Sequence, residues 1–142
     1  MAHILVVDDD ELERTFAGRV MAAGNHTVAF ATNGESALEL YQNGGIDLVV
    51  TDLAMPRLNG LRLIQRLVEY DENVRIIAVS GLNRDQLLIA EDYGANELLP
   101  KPWGAREMLD AITRVLGTLP QRSSGWGRNR QKAASGFDDV WY

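Results

Sequence analysis

The sequence predicts an α/β fold, in which a doubly wound parallel sheet of five strands carries five helices. Three observations support it: short apolar runs alternate five times with segments of helical periodicity, the runs are nearly continuous, and glycine or asparagine separates many of the segments. Continuous apolar strands are expected when helices cover both faces of a sheet. With 142 residues, 46% of them apolar, the chain is long enough for one domain of this kind.

The first part of the chain predicts two strand–helix units. Residues 4–7 form an apolar run and are predicted as a buried strand, whereas residues 11–23 repeat apolar side chains every fourth position and predict a helix that ends at Gly24. Residues 27–31 predict a weaker strand, and residues 35–42 a short helix. The apolar stripe of the first helix consists of Leu12, Phe16 and Val20.

The rest of the domain repeats this alternation three more times. The predicted strands are residues 46–51, 74–79 and 97–100, and the predicted helices are residues 59–70, 83–93 and 104–116. Gly60 is expected to allow close backbone packing where the third helix begins. In the fourth helix three consecutive apolar residues, 87–89, cannot all face the sheet, so we expect at least one of them to be exposed.

Composition narrows the classes of function. The chain has no cysteine, which excludes disulfides and thiolate metal sites, and it has no apolar run of 18 or more residues and no signal-peptide pattern. A protein of the cytoplasm that does not bind a membrane is therefore expected. Residues 1–119 hold 10 Lys+Arg and 18 Asp+Glu, a net charge of −8, which argues against nucleic-acid binding.

The last part of the chain differs from the rest. Residues 120–142 carry a net charge of +2, begin with a linker-like stretch and end with an aromatic-rich one, so we predict a domain at 1–119 followed by a tail. Three interpretations of the tail remain open: a flexible segment, a peptide that docks on a partner or a second copy, and a remnant of truncation.

Charged and hydroxyl side chains stand at the predicted strand ends. Asp8 and Asp9 follow the first strand, Asp52 follows the third, and Ser80 and Lys101 end the fourth and fifth. Ligands of open parallel sheets bind beyond the carboxyl ends of the strands, so we expect these five side chains to lie together. Clustered carboxylates must take up protons or a cation, and hard oxygen ligands suit Mg²⁺. Asp10, just before the first helix, is expected to be its cap and not a ligand.

The ordered set of strand-end motifs resembles the receiver domain of two-component response regulators, over about residues 3 to 117. The motifs are residues 4–10 (ILVVDDD), residues 52–56 (DLAMP) with Gly60, residues 80–81 (SG) and residues 101–102 (KP). The resemblance implies a flavodoxin-like sheet with strand order 2-1-3-4-5. It also implies a cis peptide bond between Lys101 and Pro102.

The resemblance assigns roles to the site residues. Asp52 would be the phosphoacceptor, attacking a phosphohistidine to give an acyl phosphate. Mg²⁺ would be held by Asp9, by Asp52 and by the backbone carbonyl of Ala54, with Asp8 acting mainly through a bound water. Lys101 would pair with one phosphoryl oxygen and Ser80 would donate a hydrogen bond to another.

The same resemblance implies a signalling module of bacterial type and not an enzyme, catalysing at most its own phosphorylation and slow dephosphorylation. Its partners would be a sensor histidine kinase or a histidine phosphotransfer protein, and a downstream target protein. The surface of the fourth helix, fifth strand and fifth helix would carry the output, and a homodimer would form through it. Leu98 replaces the aromatic residue through which family members often switch, so ring rotation cannot transmit the signal.

Three other functions are less compatible with the sequence. A receiver-like scaffold that acts without phosphorylation would lack Asp52 or Lys101, and both are present. A flavin-binding electron carrier would cradle a phosphate after the first strand, where Asp8 and its acidic neighbours would repel it. An aspartate-nucleophile phosphatase usually has a second acid two residues after the first, and that position is Ala54.

Overall fold

The computed structural model describes residues 1–55, 59–81 and 84–117, with the backbone alone described for Arg84. The predictions for the tail at 120–142, and the proline of the DLAMP motif, lie outside these residues. The strands are β1 (His3–Val7), β2 (Thr27–Ala31), β3 (Leu48–Asp52), β4 (Ile76–Ser80) and β5 (Glu97–Pro100). The helices are α1 (Glu11–Ala23), α2 (Gly34–Gln42), α3 (Gly60–Tyr70), α4 (Arg84–Tyr93) and α5 (Ala105–Gly117).

The strands form one parallel sheet in the order β2-β1-β3-β4-β5, so the predicted fold class and strand order are confirmed. The predicted bounds of β3 and β4 are too early by one or two residues. Pairing explains the shift: the ladder between β1 and β3 starts at Ile4 opposite Leu48, and β3 continues until Asp52 pairs with Val79. Ile46 packs on the core without joining the ladder.

The core lies on both faces of the sheet, as the continuous apolar strands predict. Successive residues of β1 alternate between the faces, since Leu5 and Val7 pack with α2, α3 and α4 while Ile4 and Val6 pack with α1 and α5. All four are at most 3% exposed. The two helical layers thus bury all of β3 and β4, and all of β1 except His3.

Apolar side chains are exposed on two helices, against the sequence-based expectation in α1 and in agreement with it in α4. The periodicity of Leu12, Phe16 and Val20 correctly predicts α1, but Leu12 is 81% exposed and Phe16 is 49% exposed, and only Val20 is buried. In α4, Leu87 is buried and both Leu88 and Ile89 are exposed. Both α1 and α4 therefore present apolar side chains to solvent.

Candidate functional site

The strand register brings Asp8 and Asp52 to one side of the sheet. Val6 of β1 lies opposite Val50 of β3, and both valines pack on the α1–α5 side. Side chains two positions further along an extended chain point to the same face, so Asp8 and Asp52 also face α1 and α5. Both are buried, at 7% and 6% exposure.

Lys101 meets these carboxylates from the end of β5. Its Nζ lies 2.9 Å from Glu13 Oε2, 3.2 Å from Asp52 Oδ2 and 3.6 Å from Asp8 Oδ2. The Lys101 amide donates to the backbone carbonyl of Ser80, which joins the ends of β4 and β5. The peptide bond from Lys101 to Pro102 is cis, as expected.

Backbone groups hold the two buried carboxylates. Asp8 Oδ1 accepts from the Asp10 amide at 2.9 Å, and Asp52 Oδ1 accepts from the Ala54 amide at 3.2 Å. Asp10 itself caps α1 by accepting from the amides of Leu12 and Glu13, as predicted. Because one carboxylate oxygen of Asp8 and of Asp52 is engaged by an amide, the other faces Lys101.

The structure brings some of the predicted site residues together and leaves others apart. Asp8, Asp52 and Lys101 meet directly. Ser80 is buried at the end of β4, and Ala54 is half-buried beside Asp52. Asp9 is exposed and does not belong to the described group of carboxylates that could share a metal ion, whose oxygens lie within 4.8 Å of one another: Asp8, Glu13 and Asp52.

Glu13 is the site residue that the sequence analysis missed. It stands four residues before Ala17 and eight before Met21, both of which are buried in the core under α1. Helical spacing therefore puts Glu13 on the inner face of α1. The spacing of Glu13 with Ala17 and Met21 is visible in the sequence, but the stripe through Leu12 is more apolar and was therefore predicted to face the core.

Burial and charge shift the titration of the cluster. Burial raises the pKa of Asp8 from 3.8 to about 6, against the lowering effects of the Asp10 amide and Lys101. Burial likewise raises the pKa of Asp52. Burial lowers the pKa of Lys101, but the hydrogen bond that its ammonium donates to Glu13 and the charges of Asp52 and Asp8 outweigh this effect, so the pKa lies above its usual value. The buried carboxylates need more positive charge than one ammonium provides, and this fits a divalent cation with oxygen ligands.

An apolar pocket opens beside the acids. A cavity of about 280 Å³ lies between α1 and the segment that follows β5. Its outer part, which we name the apolar rim, consists of Leu12, Phe16, Pro102 and Trp103. The rings of Phe16 and Trp103 lie 5.1 Å apart at a tilt of 31°. Asp8, Glu13, Asp52 and Lys101 line the same cavity, so it adjoins the charged cluster.

Among the residues that the structure describes, no helix is both long and apolar enough to cross a membrane.

Comparison with known proteins matches this geometry to one family. A family model for the response regulator receiver domain matches residues 4–113. Chemotaxis protein CheY of Bacillus subtilis is 34% identical over 119 residues, covering 82% of this chain and 99% of that protein. The transcriptional regulator NtrC of Azospirillum brasilense is 36% identical over 118 residues, which are 82% of this chain but only 24% of NtrC.

A solved structure shows the same fold. The CheX–CheY–BeF3–Mg²⁺ complex from Borrelia burgdorferi contains a chain that is 25% identical, with a TM-score of 0.78 over 82% of this chain and 90% of that one.

Proposed function

Because the chain belongs to the response regulator receiver domain family of two-component systems, we propose that it takes a phosphoryl group onto Asp52 from a sensor histidine kinase or a histidine phosphotransfer protein. The observation that carries this proposal is the buried Asp52 carboxylate, which accepts a hydrogen bond from Lys101 and lines a cavity together with it. A nucleophile for phosphoryl transfer needs this combination of accessibility and a neighbouring cation.

The transfer is a substitution at phosphorus. An oxygen of Asp52 forms a bond to phosphorus while the bond from phosphorus to the donor imidazole nitrogen breaks, and the imidazole keeps the bonding electrons and takes a proton. The Ala54 amide, at 3.2 Å from Oδ1, holds the carboxylate in place. Lys101 contacts Oδ2 at 3.2 Å, so its ammonium is positioned to pair with a phosphoryl oxygen.

Mg²⁺ is the proposed cofactor. Asp9, Asp52 and the Ala54 carbonyl would hold it, with Asp8 acting through a water molecule. Bound Mg²⁺ would neutralise charge on the transferring phosphoryl oxygens. The raised pKa values of Asp8 and Asp52 support this assignment, since a nearby cation favours the ionised form of each.

Ser80 is proposed to donate a hydrogen bond to the phosphoryl group once it is present. Because that contact exists only in the phosphorylated state, it would shift the chain after β4 and reposition α4. Leu88 and Ile89 are exposed on α4 and would move together with this helix. The output would then be altered binding of a target protein, or formation of a homodimer, through α4, β5 and α5. Rotation of an aromatic ring would play no part, because position 98 is a leucine.

The donor would reach Asp52 past the apolar rim, because the rim side chains line the same cavity and are exposed or half-buried. The proposed receiver domain spans residues 1–119, and we expect it to work in the cytoplasm, where such kinases present their phosphohistidine. The role of the tail at 120–142 stays a prediction outside the described residues.

The test is phosphorylation by a small donor. The wild-type protein, Asp52→Asn and Asp92→Asn are mixed with Mg²⁺ and acetyl phosphate and weighed by intact-mass spectrometry. Asp92 is an exposed acid of α4 and serves as the matched control. We expect one added phosphoryl group on the wild-type and the control and none on Asp52→Asn. Absence of the adduct from all three proteins would favour the alternative, a receiver-like scaffold that acts without phosphorylation.

A further inference from the structure

Glu13 is the member of the acid cluster that the proposed phosphotransfer does not use. Its amide donates to the capping side chain of Asp10, which fixes its place in the first turn of α1. Its Oε2 lies 2.9 Å from Lys101 Nζ, the shortest of the three contacts between that ammonium and a described carboxylate.

Lys101 has little capacity left for a phosphoryl oxygen. An ammonium has three N–H donors. Glu13 and Asp52 accept hydrogen bonds from it at 2.9 and 3.2 Å, and Asp8 Oδ2 lies 3.6 Å away, at an ion-pair distance. A phosphoryl oxygen that pairs with Lys101 therefore competes with these carboxylates for the ammonium.

Exposure decides which contact is released. The side chain of Glu13 is 44% exposed, whereas those of Asp8 and Asp52 are 10% and 7% exposed. A carboxylate that loses its partner must be hydrated, which is easy at the surface and costly in the interior. Glu13 is the carboxylate that water can take over most readily.

Charge gives Glu13 a second effect in the same direction. Phosphorylation adds negative charge to a cluster that already holds three carboxylates and one ammonium among the described residues. Glu13 lines the cavity through which the donor would approach, so its charge repels an incoming phosphoryl group and attracts a divalent cation.

We propose that Glu13 is a positioning residue that holds the Lys101 ammonium in the unphosphorylated protein and releases it when the phosphoryl group arrives. It thereby slows phosphorylation while it strengthens cation binding. This inference rests on the proposed function of Asp52. In this proposal, a residue of α1 controls the rate at which Asp52 is phosphorylated.

Glu13→Gln tests the proposal, because it keeps the shape of the side chain and removes the charge. Glu11→Gln is the matched control: it removes a charge from an exposed acid of the same helical turn that is not among the described ion-pair partners of Lys101. Glu13→Asp keeps the charge. Rates of phosphorylation by acetyl phosphate are measured with each protein saturated with Mg²⁺, and Mg²⁺ affinity is measured by calorimetry without the phosphodonor.

We expect Glu13→Gln to be phosphorylated about two- to fivefold faster than the wild-type protein and to bind Mg²⁺ about threefold more weakly, the range that partly exposed ion pairs produce. Glu13→Asp keeps the charge but shortens the side chain that contacts Lys101, so it should lie between Glu13→Gln and the wild-type protein, whereas the Glu11 control should stay close to wild type. A merely structural role would not move the two quantities in these opposed directions.

An equal or slower rate for Glu13→Gln, with a wild-type protein that is phosphorylated on Asp52, would overturn the role of Glu13 and leave the proposed function intact. A wild-type protein that takes up no phosphoryl group would overturn both.

Discussion

Side-chain packing near the carboxyl ends of the strands differs between the two faces of the sheet. On the face covered by α2, α3 and α4, which we call the packed face, side chains such as Leu63, Ile64 and Leu67 are fully buried up to the edge. On the face covered by α1 and α5, the open face, Leu12 and Phe16 remain exposed and a cavity of about 280 Å³ reaches Asp52. The difference is that core side chains fill the space between the sheet and the helices on the packed face, whereas on the open face a cavity remains beside the charged cluster.

The largest expected difference between the faces is in stability. Leu63→Ala on the packed face should lower the free energy of unfolding by about 2–5 kcal/mol, because it opens a cavity that rigid neighbours cannot fill. Leu12→Ala on the open face should change it by less than about 0.5 kcal/mol, since the side chain is 81% exposed. Urea unfolding measures both, and equal losses would contradict the comparison.

A smaller effect is expected where the packed face supports the site. A Cβ built on Gly60 would lie 2.3 Å from the Asp52 carbonyl oxygen and 2.5 Å from the Leu53 Cα, so the start of α3 fits only a glycine. Gly60→Ala should therefore destabilise the protein by about 1–3 kcal/mol and slow phosphorylation of Asp52.

Gly117→Ala is the control for that variant, because its Cβ would meet nothing within 4 Å. Gly60→Ala with the stability and the phosphorylation rate of this control would show that the close approach is not needed.

The smallest expected effect is a pH dependence on the open face. The pKa of Asp8 is raised to about 6 in the fold from 3.8, so the folded protein binds a proton more tightly than the unfolded chain does. This group therefore makes the protein without Mg²⁺ more stable at pH 5 than at pH 7.5, the gain being lost as the pH rises through about 6.

Asp8→Asn isolates this contribution, because the asparagine oxygen can still accept from the Asp10 amide. The variant should match the wild-type melting temperature at pH 5 and exceed it by a few degrees, roughly 2–6 °C, at pH 7.5 without Mg²⁺. With Mg²⁺ at pH 7.5 the advantage should shrink or reverse, because Mg²⁺ stabilises the ionised cluster. Calorimetry in EDTA and in Mg²⁺ measures this, and a difference independent of pH would exclude Asp8 as the titrating group.

The sequence predicted much of the site because parallel strands end at a common edge. The fold class, the meeting of Asp8, Asp52 and Lys101, and the helix cap at Asp10 all follow from where apolar runs stop. None of these predictions needs knowledge of how the helices pack.

The parts that were missed depend on helix orientation. The stripe through Leu12, Phe16 and Val20 is more apolar than the stripe through Glu13 and Ala17, yet the second one faces the sheet at the start of α1. Hydrophobic periodicity predicts the helix, and the most apolar side of the helix is then assumed to face the core. That assumption fails when an acid on the inner side belongs to the site and an apolar side chain remains on the surface. The exposure of Leu88 and Ile89, by contrast, agrees with the expectation that residues 87–89 cannot all face the sheet.

The central claim is that Asp52 is the residue that receives the phosphoryl group. Borohydride reduces an acyl phosphate to an alcohol, so reduction of the phosphorylated wild-type protein should leave homoserine in place of Asp52, which peptide mass spectrometry would locate. Homoserine at position 52, dependent on Mg²⁺, is the predicted result. Conversion of Asp8, Asp9 or Glu13 instead, with Asp52 unchanged, would contradict the account.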